Sequence, residues 1–133
     1  IEDIIRLSHS PSSELRLAAR NYITDPAILN EDMVKVASAY YAQQRDALKA
    51  RDPEAFLLLA LTMREIYYVA GVNKIVDYTG NWGQRARSPA AIDASLAYFE
   101  SGIAIIKDVP ASNAVPYANP ITVRRSRSVR ASP

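Results

Sequence analysis

Four dipeptides constrain this chain more than any other feature: Ser10-Pro11, Asp25-Pro26, Asp52-Pro53 and Ser88-Pro89. Each sets a short, oxygen-bearing side chain before a proline. Proline is disfavoured inside a helix but suits its first turn, where its missing N–H would have no partner anyway. The preceding Ser or Asp oxygen can accept from the free N–H groups just beyond. The pattern predicts a chain divided into helices, with starts at Pro11, Pro53 and Pro89. Asp25-Pro26 has a competitor in Asn30-Glu31-Asp32, which offers a second cap with acids in the first turn.

Between these stops the apolar residues recur with helical period. Residues 11–23 carry Leu15, Ala18, Ala19, Tyr22 and Ile23, a short amphipathic helix. Residues 31–50 carry Met33, Val36, Ala37, Tyr40, Tyr41 and Leu48 on one side, with Glu31 and Lys35 spaced for a surface pair. Residues 53–79 form the longest segment. From Glu54 to Ala70 only Glu54, Thr62, Arg64 and Glu65 are strongly polar, so this helix is expected to be central and covered on most sides. Gly71 offers a kink or a close neighbour, and Gly80 is placed to end the helix. Residues 89–107 hold Ile92, Leu96, Phe99, Ile103 and Ile106, spaced 4, 3, 4 and 3, in one continuous stripe. Ile1 to Leu7 reads as the end of a further helix. A chain that opens on Ile within a helical pattern, without Met, reads as a fragment or a processed product. No run alternates with period two, and no Asn-Gly or Asp-Gly turn joins apolar strands. The expected fold is all-α: an irregular bundle of four main helices, plus the end of an N-terminal helix, over residues 1–109.

After Val109 the composition changes. Half of the 8 prolines fall in residues 110–133 (Pro110, Pro116, Pro120 and Pro133), among Ala, Ser and Asn. Such a segment cannot by itself bury enough apolar surface to offset its ordering entropy. It is expected to be an extended Pro/Ser/Arg-rich basic arm. The formal net charge of +2 divides at this boundary. Residues 1–109 hold 12 Lys+Arg against 14 Asp+Glu, whereas residues 110–133 hold Arg124, Arg125, Arg127 and Arg130 and no acid.

Several chemistries are excluded by residue supply. With no cysteine there is no disulfide scaffold, thiolate catalysis or zinc ribbon, and one histidine removes most His-based metal sites. Four glycines leave little material for a phosphate-cradling loop, and no Walker A, dinucleotide-binding or H-E-x-x-H pattern occurs. No cofactor is expected. The longest uncharged run of the body, Ala55 to Met63, is far short of a membrane span of about 20 residues, so no membrane insertion is expected.

The remaining candidates are few. His9 completes a nucleophile–His–acid triad on paper with Ser8 or Ser10 and a distant Asp, but adjacent residues rarely have the geometry of such a relay, and a capping or surface role fits better. Glu65 interrupts the most apolar helix. A partly buried carboxylate can serve as an acid or base, but pairing with an Arg or Tyr from another helix is the expected state. Tyr40-Tyr41 and Tyr67-Tyr68 lie on helices, where adjacent residues point about 100° apart, so one of each pair is free to meet a second helix or subunit. Trp82, Arg85 and Arg87 form an aromatic and basic loop suited to stacking on a base and gripping phosphates. The strongest pointer is the arm itself, because the guanidinium fork of Arg suits phosphate or carboxylate oxygens.

These features lead to three expectations. The first is a non-catalytic structural subunit of a larger assembly, nucleocapsid- or coat-like or ribonucleoprotein-like. Its body packs on other copies or other subunits, and its arm engages RNA or DNA, with Arg85, Arg87 and Trp82 as secondary contacts. The second is a protein–protein adaptor whose arm docks on a partner protein. The third is a small helical ligand-binding protein or enzyme using Glu65 and the tyrosines, which requires a closed polar pocket around Glu65.

Overall fold

The computed structural model describes residues 1–76 and 88–110, and the protein is all-α. Its helices are α1 (Glu2–Leu7), α2 (Ser13–Ile23), α3 (Glu31–Arg51), α4 (Pro53–Ile75) and α5 (Pro89–Lys107), with no strand among the described residues. Two of the four proline dipeptides start helices as expected. Asp52 accepts from the Ala55 N–H at 3.2 Å and Ser88 from the Ala91 N–H at 3.3 Å, each with proline in the first turn. The other two make turns. At Ser10-Pro11 the cap is Ser12, which accepts from the Leu15 N–H at 3.3 Å, so α2 begins at Ser13 and not at Pro11. Ser10 is occupied with the Ser12 N–H at 3.1 Å, which folds the proline into the turn ahead of the helix. Asp25 likewise closes a turn onto the Ala27 N–H, and Asn30 is the cap that starts α3, accepting from the Met33 N–H at 2.9 Å. The long helix stops at Ile75, four residues earlier than expected, because Val76 is extended; Gly80 lies outside the described residues.

The core is built around α4. Phe56, Leu59, Met63 and Ile66 are fully buried there, and Ile5, Ile23, Ala37 and Leu48 meet them from the other helices. α3 and α5 both pack on α4, while α1 joins α2 to α3. Two expected faces are rotated. On α3 the inner arc centres on Ala37, Tyr41 and Leu48, which buries Val34 and leaves Val36 exposed beyond its edge. On α2 only Ala19 and Ile23 are buried, and Leu15 and Tyr22 remain exposed. Glu31 pairs with Lys74 of α4 instead of Lys35, its neighbour along the helix.

α5 runs antiparallel to α4. Gly71 lies under the Phe99 ring, so that a methyl group there would collide with it, and Gly102 faces the backbone of Arg64 and the Cβ of Tyr67. The inward series on α5 is Ser95, Gly102 and Ile105, continued by Val109 beyond the helix end, and it includes small residues. The buried Ser95 hydroxyl has no hydrogen-bond partner among the described residues. The apolar stripe Ile92, Leu96, Phe99, Ile103 and Ile106 lies beside this contact. Leu96 is 52% exposed and Ile103 57%.

Candidate interaction surface

Trp82, Arg85 and Arg87, and the arm residues Arg124, Arg125, Arg127 and Arg130, lie outside the described residues. The tyrosine pairs divide unevenly. Tyr40 and Tyr41 are both buried within the chain's own core. Tyr67 is half-buried, with its hydroxyl 2.5 Å from Ser38 Oγ and its ring 6.2 Å from that of Tyr98. Tyr68 is 61% exposed, its ring 5.8 Å from Phe99. Of these four rings it alone presents most of its surface outward.

Tyr68 and Phe99, with Ile103 and Ile106, floor an open groove of about 880 Å³ between α2, α4 and α5. Charged groups edge it. Glu65 accepts from Arg20 Nε at 2.8 Å and from its terminal nitrogen at 2.5 Å, which ties α4 to α2. Arg64 and Lys107 also line the groove and form no ion pair among the described residues. Among the described residues the space beside Glu65 is an open groove with an apolar floor and a charged edge. Its carboxylate is held as an interhelical clamp.

His9 is likewise committed. Its Nε2 lies 2.8 Å from the Tyr40 hydroxyl, and the two rings stack with centroids 5.9 Å apart. Burial lowers the His9 pKa from its ordinary 6.5 and raises that of Tyr40. Ser8 donates to the Ile5 carbonyl at 2.6 Å and Ser10 serves the turn, so neither hydroxyl is aimed at His9.

A third cluster closes the far end of α5. Asp108 meets Arg45 at 2.6 Å and Lys49 at 3.9 Å, and the Tyr41 hydroxyl donates to it at 3.3 Å. Burial, reinforced by the Asp108 charge, pushes the Tyr41 phenol up to about 12. The cluster anchors α5 to α3. Among the described residues no group of three or more His, Asp or Glu side chains is placed to hold a metal ion.

Two surface features escaped the sequence reading. α4 and α5 are both long and apolar enough to cross a membrane by length and composition, although short uncharged runs argued otherwise. Of the apolar window in α4, 61% is buried in this chain, as befits a core helix, against 17% in α5. The other feature is the groove, which needs residues from three helices. Its signal was present in part, as the stripe on α5, but a stripe does not announce which side will be covered. The chain matches no family model, and comparison with curated proteins and with solved structures finds no match either.

Proposed function

We propose that this chain is a non-catalytic structural subunit of a larger assembly. Its helical body packs against neighbouring copies, and its Arg-rich C-terminal segment engages an anionic partner, nucleic acid before an acidic protein. The observation that carries the reading is the charge partition: four arginines and no acid in residues 110–133, against a body with more acid than base. A body of that balance has little attraction for a polyanion over its whole surface, so the binding is concentrated in the arm. The exposed apolar residues of α5 support the assembly half of the reading, since contiguous apolar surface of this kind marks interaction sites.

The test is a salt titration of RNA and DNA binding by the full chain and by a variant with Arg124, Arg125, Arg127 and Arg130 all replaced by Gln. Four phosphate contacts give a log–log slope of roughly −3.6 on duplex DNA or about −2.8 on a single strand. The variant is expected to lose affinity and most of that slope. Equal binding by both proteins across the titration refutes the assignment to the arm. Copurified protein without nucleic acid, and assembly that survives nuclease, favours the adaptor.

A further inference from the structure

The exposed stripe of α5 has the spacing of a helix-pairing seam. Residues 92, 96, 99, 103 and 106 follow the 4, 3, 4, 3 repeat that places apolar side chains toward a partner helix over two heptads. The stripe is roughly 21 Å long at 1.5 Å per residue. Ile92, Leu96 and Ile103 are all exposed, and Phe99, Ile103 and Ile106 also border the groove beside α4. A second copy turned end for end would set the Ile92–Leu96 end of each stripe against the groove end of the other.

The charges flanking the stripe set a direction. Asp93, Glu100 and Lys107 recur every seven residues along its solvent edge, all exposed. These are the positions at which paired helices exchange salt bridges. A parallel pair would place them on opposite flanks of the seam, each toward the partner's Ser95–Gly102 flank, which carries no charge to meet them. An antiparallel pair centred on Glu100 sets Asp93 level with Lys107 of the other copy, twice, and leaves one like-charge meeting on the axis. The same register brings Leu96 level with residue 104, beside Ile103 of the other copy, and Ile92 level with residue 108, beside Ile106. The Ile92–Leu96 end of each copy thus meets the groove end of the other. Because α4 is antiparallel to α5, the two hairpins would form a bundle in which every neighbour alternates in direction.

We infer that α5 pairs antiparallel with α5 of a second copy of this chain. Ile92 and Leu96 of each enter the groove bordered by Ile103 and Ile106 of the other, with Asp93 facing Lys107. This deepens the assembly half of the proposed function and rests on it; it is independent of the arm. Analytical ultracentrifugation of the full chain over a concentration series is expected to show a dimer. Leu96→Asp with Ile103→Asp is expected to raise its dissociation constant by about 30-fold or more. Both side chains are exposed in the single chain, so thermal melts at concentrations below dimerisation should match. The absence of cysteine allows an orientation test. A mixture of Asp93→Cys and Lys107→Cys chains should be joined by a short bis-maleimide, and Asp93→Cys alone should not. A dimer in which the Asp93→Cys and Lys107→Cys chains do not link, or in which Asp93→Cys links to itself, overturns the inference. A dimer that persists in the double-Asp variant overturns the inference alone and leaves the assembly reading standing. A chain that stays monomeric at every concentration removes both. Capture of such a monomer by phosphatidylcholine vesicles through Leu96 and Ile103 assigns the face to lipid instead.

Discussion

α4 and α5 are adjacent, antiparallel and both rich in apolar residues, yet they use them in opposite ways. α4 lies between α3 and α5 and buries residues on nearly all sides, from Ala55 to Gly71. Among the described residues, α5 packs mainly along the side that faces α4. It carries two series at the same helical spacing, one containing Ser95, Gly102 and Ile105 and the other containing Leu96, Phe99, Ile103 and Ile106, displaced by one position and so by about 100° around the axis. The series with small residues faces α4 because Gly71 and Gly102 let the two helices come close, and the larger residues are displaced to the flank. Period reports which residues share a face; side-chain size decides which face meets a neighbour.

The comparison is broken most directly by the same substitution made in each helix. Leu59 of α4 is fully buried, and Leu59→Ala is expected to cost about 2–5 kcal/mol through lost transfer energy and the cavity left behind. Leu96→Ala on α5 should change the stability of the single chain by no more than about 0.5 kcal/mol. Urea unfolding at concentrations below any association measures both. Similar losses at the two positions would mean that α5 is covered within the chain after all.

A smaller effect tests why α5 lies as it does. Gly71→Ala adds a methyl group that meets the Phe99 ring, so the ring or the helix must shift, at a cost of about 1–3 kcal/mol. The ring is partly exposed and has room to yield, which places the expectation toward the lower end. Phe99→Ala combined with Gly71→Ala should recover the part of the loss due to the collision. A double-mutant cycle in unfolding free energy gives that coupling directly, and simple additivity would show that the close approach does not position α5.

What the sequence disclosed follows the range of the interactions involved. Caps act within three residues, so Asp52 and Ser88 were legible from their dipeptides, and the all-α class follows from period. Ser10-Pro11 misled because Ser12 competes for the same start, and the choice depends on the turn that leaves α1. Lys74 was invisible as the partner of Glu31 because the two meet only after α3 packs on α4. Glu65 could be read as needing a partner, but not that Arg20 would supply it. The groove joins residues 20 to 107 and has no local signature. Trp82, Arg85, Arg87 and the arginines of residues 110–133 lie outside the described residues, and for them composition gives charge and no geometry.

The finest test concerns how the far end of α5 is held, and its effect appears only in alkali. Tyr41 donates to Asp108 just beyond α5, and its pKa rises from 10.0 to about 12, chiefly by burial. Below pH 10 the phenol is neutral in folded and unfolded chains alike, so its ionisation contributes no pH dependence there. Between pH 10 and about 12 the unfolded chain releases this proton while the folded chain retains it, so stability falls as pH rises. Tyr41→Phe removes that component. Its melting temperature should decline less steeply than that of the parent across this window, even if the lost hydrogen bond lowers its value at neutral pH. Ultraviolet titration of tyrosinate should show one late-ionising phenol missing from the variant. Parallel declines in the two proteins would show that Tyr41 is open to solvent, and that Arg45 and Lys49 alone hold Asp108 and the end of α5 against α3.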